Sequence, residues 1–182
     1  MSLIYFRNTD EISDEPVSDG HPLPVAVMAT PRDAKRITVS VQLDASASPA
    51  YTAGDAVGSW FLIPNAARFG DGGGYIDTVE FSEDTVQAAS ATLFLFNRQI
   101  AGSADNAAFA PTDAEMRTCV GRVDITSYPA TAPGSNQMAQ ALNGPGYNCT
   151  GGSTSLWAQL QTNGTPTYAV NGVTLKIVLV RD

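Results

Sequence analysis

At residues 36–43 the chain reads RITVSVQL, in which apolar and polar side chains alternate without a break. Residues 173–180, VTLKIVLV, repeat this pattern, with Val178 and Val180 adding apolar groups to the second face. A period of two residues places alternate side chains on opposite faces of an extended strand. Half-buried strands of this kind are typical of antiparallel sheets. We therefore expect the folded body to begin and end in antiparallel strands.

Shorter strand patterns fill the region between these two stretches, separated by clusters of Gly, Pro, Asn and Ser. Residues 92–96, TLFLF, are apolar on both faces, which predicts a central strand that is covered on each side. The other expected strands are 59–63, 75–81 with mixed facing, 119–125, 155–161 and 167–170. A total of about eight strands predicts an all-β fold, an antiparallel two-sheet sandwich of the jelly-roll type.

Helical signals are scarce. Thr112 and Glu115 have the spacing of a capping box, and residues 135–142, SNQMAQAL, predict two helical turns. Three apolar residues of this second helix are expected to face inward: Met138, Ala141 and Leu142. The links 97–118 and 126–154 are longer than a hairpin requires. We expect them to cross between the sheets or to carry a contact surface.

The composition excludes several classes of function. The chain has 182 residues, enough for one domain that buries about 70% of its unfolded surface without disulfides or metals. Lys and Arg number 10 against 18 Asp and Glu, a formal net charge of −8, and the only lysines are Lys35 and Lys176. Nucleic-acid binding needs a basic stripe, so no nucleic-acid partner is expected. No membrane span or signal peptide is recognisable, so we expect no membrane partner and a cytoplasmic site of synthesis.

Residues 1–30 differ in composition from the β-sandwich domain expected over residues 31–182. They are acidic and contain several prolines, which predicts an extended N-terminal arm that buries little of its own surface. The apolar residues of the arm need another surface to lie on, and we expect these to be the partner-binding residues: Ile4, Tyr5, Phe6, Leu23 and Val25. The alternatives are a strand added to the chain's own sheet and a frayed tail.

The sequence contains no recognisable catalytic device, so we do not expect an enzyme. The single histidine, His21, lies in the arm, where no third group would hold it rigidly as the base of a nucleophilic relay. Glycoside hydrolysis needs paired carboxylates, for which the candidates are Glu80, Glu83, Asp84 and Asp124. Glu83 and Asp84 are more typical of a turn in which acidic side chains bond their own backbone.

No cofactor or metal is expected. Cys119 and Cys149 match no metal-ligand spacing and are expected to be small buried hydrophobic residues, with a disulfide as the alternative in an oxidising environment. The Gly70–Gly74 cluster precedes a strand and has no lysine nearby, unlike a phosphate-binding loop. We expect a tight turn with positive φ angles there. A calcium site remains the alternative, on these carboxylates: Asp55, Asp71 and Asp77.

The order of several turn-and-strand segments resembles a known family. The segments are YTAGDAVG at 51–58, PNAAR at 64–68, GGGYI at 72–76, LFLF at 93–96, DNAAF at 105–109 and GTPTY at 164–168, with DGHPLP at 19–24 in the arm. Read in this order, the chain resembles small structural proteins of tailed bacteriophages, whose genes lie among the head genes near the major capsid protein.

This resemblance implies a virion structural protein that is made in the cytoplasm of a bacterial host. The implied role is that of a capsid decoration or cement protein on the capsid surface. The implied partner is the major capsid protein, and the implied homo-oligomer is a trimer at local three-fold positions that clamps neighbouring subunits. The acidity of the chain would keep such a protein away from packaged DNA.

The alternative function is a glycan-binding jelly-roll module on the phage head or tail surface. Aromatic side chains beside polar loops provide the platform that sugars need, and the candidates are Trp60, Tyr128, Tyr147 and Trp157. The two tryptophans lie in predicted strands, where a core position is the competing interpretation. A glycan-degrading enzyme would also require a catalytic carboxylate pair.

Overall fold

The computed structural model describes residues 35–85, 87, 89–126 and 137–182, with the backbone alone for 137–141. This part of the chain contains nine strands and one short helix. In chain order they are β1 (Arg36–Leu43), β2 (Ala56–Ile63), β3 (Gly73–Glu83), β4 (Ala91–Phe96), α1 (Asp113–Met116), β5 (Cys119–Ile125), β6 (Gln137–Leu142), β7 (Gly146–Asn148), β8 (Leu156–Thr162) and β9 (Val173–Arg181).

The strands form two antiparallel sheets that pack against each other. One sheet has the order β1-β9-β3-β6, and β7 pairs with the beginning of β3. The other sheet has the order β2-β8-β4-β5. β1 pairs with β9 from Arg36↔Val180 to Leu43↔Val173, so the two alternating stretches at opposite ends of the chain are direct neighbours. The predicted all-β antiparallel sandwich is confirmed.

The hydrophobic core lies between the sheets. Leu175, Ile177 and Leu179 of β9 are fully buried because β9 has a paired strand on each side. On β1 the inward side chains Ile37 and Val39 are only partly buried and pack against this core. The difference follows from position, since β1 is the edge strand of the same sheet.

A β-bulge in β3 explains the mixed facing of residues 75–81. The register of β3 against β9 shifts between Ile76 and Thr78. Ile76 before the shift is buried, and Val79 and Phe81 after it are buried too. One extra residue exchanges the side chains that face the core with those that face outward.

β4 is a central strand that is covered on both faces, as its sequence predicts. It lies between β8 and β5, with Leu93 and Leu95 in the core. On the opposite face the ring of Phe94 packs on Phe109, with 4.6 Å between centroids. Phe109 belongs to the link 97–118, which joins two neighbouring strands of one sheet and covers that sheet's outer face. Of the two long links, 97–118 stays with one sheet, whereas within 126–154 the chain passes from β5 to β6 of the other sheet.

The predicted helix at 135–142 is wrong. Residues Gln137–Leu142 form β6, which pairs with β3 from Glu83↔Gln137 to Thr78↔Leu142. Leu142, expected to face inward, is 62% exposed. A helix of two turns is marginal in water by itself, whereas the edge of β3 offers hydrogen-bond partners along the whole segment.

The predicted strand at 167–170 is also wrong. The segment forms a loop whose aromatic side chain, Tyr168, points into the core. The side chain of Tyr168 is fully buried. Its ring makes edge contacts with Tyr51 at 5.4 Å and with Phe81 at 6.2 Å between centroids. The apolar character of this segment therefore reflects one buried ring.

Helix α1 confirms the capping box. The backbone N–H of Glu115 donates to Thr112 Oγ1 at 3.2 Å, and the backbone N–H of Thr112 donates to Glu115 Oε2 at 2.8 Å. The helix has four residues, against the ~20 that a membrane-spanning helix needs. Across the described ranges no helix is long and apolar enough to cross a membrane.

Replacing Leu175 with Ala should lower the free energy of unfolding by about 2–5 kcal/mol, because it leaves a cavity at a fully buried site. Chemical denaturation measures the change. The control is Ser40→Ala on the exposed face of β1, which should change stability by less than about 0.5 kcal/mol. Equal losses in the two variants would contradict the assigned core.

Candidate functional site

A groove of about 680 Å³ lies where the two sheets meet at one end of the body. One wall comes from the start of β3 and from β7, and the other comes from the end of β4 and the start of β5. The side chains that give the groove its chemistry are Tyr75, Asn97, Val120, Asn148, Thr150 and Asp182. The hydroxyl of Thr150 donates to the backbone oxygen of Asn97 at 3.4 Å, which links the two walls.

The glycine cluster before β3 builds this wall, but not in the predicted way. The residue with positive φ in the cluster is Asp71, at 61°. Gly73 and Gly74 instead allow close approach of neighbouring strands. A Cβ at Gly73 would lie 2.5 Å from the backbone oxygen of Tyr147, and one at Gly74 would collide with the backbone oxygen of Val180. Side chains here would push β7 and β9 away from β3.

The three platform candidates that the structure describes, Trp60, Tyr147 and Trp157, do not lie together. Tyr147 is buried under the groove, and its hydroxyl donates to the backbone oxygen of Ala66 at 2.8 Å. Burial raises the pKa of Tyr147, with the charges of Cys149 and Asp182 adding to the effect. Trp60 and Trp157 are partly buried on the other sheet, so they do not join Tyr147 at one surface.

The structure instead exposes residues that the sequence did not single out. Tyr75 is 47% exposed at the groove. Within the described residues, the side-chain amides of Asn97 and Asn148 make no hydrogen bond, nor does the carboxylate of Asp182. These groups come from four distant segments, so no local motif could have revealed them.

The candidate catalytic carboxylates do not form a pair. Glu80 on β3 binds Lys176 at 2.9 Å, whereas Asp124 on β5, in the other sheet, accepts from the hydroxyl of Thr92 at 2.9 Å. Glu83 is buried, and its Oε1 accepts from the backbone N–H of Gln87 at 2.9 Å. This local bond is the turn behaviour that the sequence predicts.

The candidate calcium ligands are likewise held by separate partners. Asp71 accepts from the backbone N–H of Gly152 at 2.8 Å, and Asp77 binds Arg36 at 2.6 Å. Asp55 accepts from the backbone N–H of Thr52 at 2.7 Å. In the described part of the chain no three His, Cys, Asp or Glu side chains are grouped to hold a metal.

Both cysteines are free. Cys149 is buried, as expected, whereas Cys119 is only partly so. Burial raises the pKa of the Cys149 thiol, with the charge of Asp71 adding to the effect. A raised pKa keeps the thiol protonated and makes it a poor nucleophile.

The expected arm lies outside the described residues, and its role stays a prediction. The same holds for the individual residues Ile4, Tyr5, Phe6, His21, Leu23, Val25 and Tyr128.

The link 97–118 is fastened to the body by Asp105. Its Oδ1 accepts from the hydroxyl of Tyr51 and from the backbone N–H of Gly58, each at 2.6 Å. Its Oδ2 accepts from the backbone N–H of Ser46 at 3.0 Å. One carboxylate therefore satisfies donors from three places in the chain and fixes the loop against the entry to β2.

Gln159 of β8 fastens the same link at a second point. Its side chain is fully buried. The amide nitrogen donates to the backbone oxygen of Ser103 at 2.6 Å, and the amide oxygen accepts from the backbone N–H of Ser103 at 3.0 Å. The link is thus held as a rigid cover over the sheet.

Comparison with models of known protein families finds no match, and comparison with curated protein sequences finds none either.

Replacing Asp105 with Asn should destabilise the protein by about 1–3 kcal/mol. The amide NH₂ group of Asn replaces one accepting oxygen, so it faces the N–H of Ser46 or the O–H of Tyr51 without forming a hydrogen bond. Chemical denaturation measures this loss. Asp84→Asn is the matched control, since Asp84 is exposed, and it should stay within about 0.5 kcal/mol of the parent protein. An unchanged Asp105→Asn variant would show that the carboxylate is not needed as an acceptor.

The ionisation of Tyr51 should make the stability of the protein depend on pH in the alkaline range. Burial raises the pKa of Tyr51 from 10.0 to about 12, and the hydrogen bond to Asp105 is the second largest cause of this rise. A raised folded-state pKa gives stability that is complete below the unfolded pKa and is lost as the pH rises through the folded one. The free energy of unfolding should therefore fall between pH 10 and about 12, and Tyr51→Phe should make that fall shallower. An equally steep fall in the variant would refute this assignment.

Proposed function

We propose that this protein is a structural component of a tailed-bacteriophage virion, of the head decoration or cement type, that binds the major capsid protein on the capsid surface. The observation that carries the proposal is the position of β1. This strand follows the N-terminal segment directly, lies at the edge of its sheet, and has β9 as its only paired strand among the described elements.

An edge strand of this kind is a ready attachment point. Among the described residues no strand pairs with its outer side, whose backbone N–H and C=O groups a partner strand can therefore bind. β1 is eight residues long and regular in its pairing with β9. Its inward side chains Ile37, Val39 and Val41 remain only partly buried. A strand of the capsid protein laid along β1 would extend the sheet and complete the cover of these side chains.

The strand pairing supports the jelly-roll form of the sandwich. β1 pairs with β9, β2 with β8, β3 with β6 and β7, and β4 with β5. The pairs run inward from the two ends of the chain, as in a long antiparallel ribbon that has been folded over into two layers. Jelly rolls are a common architecture of viral capsid domains.

Charge and rigidity also suit a lattice-binding protein. A formal net charge of −8 opposes association with packaged DNA and favours solubility at high copy number. Asp105 and Gln159 fix the long link 97–118, so little ordering entropy is lost when the body docks. In a trimer each weak contact would be repeated by symmetry, which multiplies the overall affinity.

Cosedimentation with expanded, undecorated phage capsids tests the function. The full-length chain should pellet with the capsids, and deletion of residues 1–30 should abolish binding while the circular dichroism of the body stays unchanged. A full-length chain that remains in the supernatant would overturn the proposed function, and unchanged binding after the deletion would remove the arm from the mechanism.

Val39→Lys tests the edge strand in the same assay. A charge that points inward from an edge strand blocks strand addition, so capsid affinity should fall about tenfold or more. Ser40→Lys places the same charge on the exposed face of β1 and should change the affinity by less than about threefold. Circular dichroism confirms that both variants fold. Equal effects would mean that charge, not strand addition, governs binding.

A further inference from the structure

The groove between β7 and the start of β5 has the size of a ligand site. Its volume of about 680 Å³ lies within the range of ~300–1,000 Å³ that is usual for small-molecule sites. Its walls belong to different sheets, which Thr150 and Asn97 link across the groove at 3.4 Å. One hydrogen bond thus joins the two walls of the groove.

An uncovered aromatic ring lines this groove. Tyr75 on β3 lies directly opposite Gly146 on β7. A glycine partner has no side chain to cover the ring, and 47% of Tyr75 is exposed. Such a ring offers an apolar face for stacking and a hydroxyl for hydrogen bonding.

The fold does not require glycine at position 146. A Cβ there would lie 3.7 Å from the backbone oxygen of Gly74, an ordinary contact, and its φ is outside the left-handed region. This contrasts with Gly73 and Gly74, where a Cβ would collide with neighbouring backbone. What the missing side chain of Gly146 does provide is open space beside the ring of Tyr75.

The polar groups around the ring are uncommitted. Asn97 and Asn148 approach from opposite walls, and within the described residues neither amide has a hydrogen-bond partner. In the same described part of the chain, the carboxylate of Asp182 has no hydrogen-bond partner either. Amides both donate and accept hydrogen bonds, and a carboxylate accepts them. Together they match a ligand that carries many hydroxyl groups around an apolar face.

The charge of the groove selects among such ligands. Asp182 lines it, and none of the described lining residues is Lys or Arg. A phosphorylated or carboxylated ligand would meet the like charge of Asp182, with no Lys or Arg among the described lining residues to offset it. From these observations we infer that the groove binds a neutral oligosaccharide, with one sugar ring stacked on Tyr75 and its hydroxyls bound by Asn97, Asn148 and Asp182.

Titration of the full-length protein tests this site. The neutral probes are cellohexaose, maltohexaose and chitohexaose, together with an array of neutral microbial glycans, and hexagalacturonate is the anionic probe. At least one neutral probe should bind and shift the amide NMR signals of Tyr75 and Gly146. Failure of every neutral probe at millimolar concentration, or binding of the anionic probe alone, would overturn the inference.

Two groove variants locate the binding. Tyr75→Ala should weaken the affinity for the bound neutral probe about tenfold or more. Phe69→Ala is the matched control, because Phe69 is an exposed aromatic outside the groove, and it should change the affinity less than about twofold. Gly146→Trp should abolish binding by filling the groove, and Gly146→Ala checks that position 146 accepts a side chain. Equal loss with Phe69→Ala would place the sugar elsewhere.

The capsid-binding proposal and the sugar-binding proposal can be refuted independently of each other. Tyr75→Ala leaves β1 and the N-terminal segment unchanged, so it should still cosediment with capsids. Sugar binding without capsid binding would leave the groove assignment intact and remove the decoration role, and the reverse result would remove only the groove assignment.

Discussion

The fold depends on the position of β9 between β1 and β3. The last strand of the chain pairs with β1 from Arg36↔Val180 onward and with β3 from Gly74↔Arg181 to Glu83↔Val173. Among the described strands, β9 alone connects the edge strand β1 to the rest of its sheet. Its inward side chains Leu175, Ile177 and Leu179 are also fully buried. Since these pairings join residues far apart in sequence, the sheet closes only after long loops have been ordered, a topology that is associated with slow folding.

Ion pairs and hydrogen bonds contribute less to the stability of the two-sheet framework than hydrophobic burial does. Arg36 reaches across β9 to bind Asp77 at 2.6 Å, and Lys176 binds Glu80 at 2.9 Å. Both pairs are partly exposed, where an ion pair contributes ~0–1 kcal/mol. Asp105 matters more, because its carboxylate accepts three part-buried hydrogen bonds, from Ser46, Tyr51 and Gly58. Hydrophobic burial thus sets the two layers, and hydrogen bonds fix the links between them.

The sequence could predict elements whose own residues decide their structure. β1 and β9 follow from strict alternation, and the capping box of α1 follows from two side chains three positions apart. β6 could not be predicted, because its strand form is imposed by the free edge of β3. The bulge after Ile76 was invisible for a similar reason, since it exists only as a register shift against β9. For both β6 and the bulge in β3, pairing with a strand distant in sequence outweighed the structural preference of the local residues.

The groove could not be predicted from the sequence either, because it also depends on long-range strand pairing. Tyr147 resembles an exposed loop aromatic in the sequence, yet the close approach allowed by Gly73 and Gly74 buries it. Tyr75, which resembles an ordinary strand residue, is exposed on the side of β7, where its partner Gly146 has no side chain to cover it. The chemistry of the surface is therefore set by which residues pair across strands, and a single sequence does not show that pairing.

The two proposed surfaces are compatible because the sheet separates them. β1 and β7 lie on opposite sides of β9 and β3, three strand spacings apart, or about 14 Å. A strand added to the outer side of β1 would extend the sheet away from the groove. The groove walls also include the ends of β4 and β5, which belong to the other layer. A body held to a lattice along β1 could therefore keep the ring of Tyr75 accessible to a sugar.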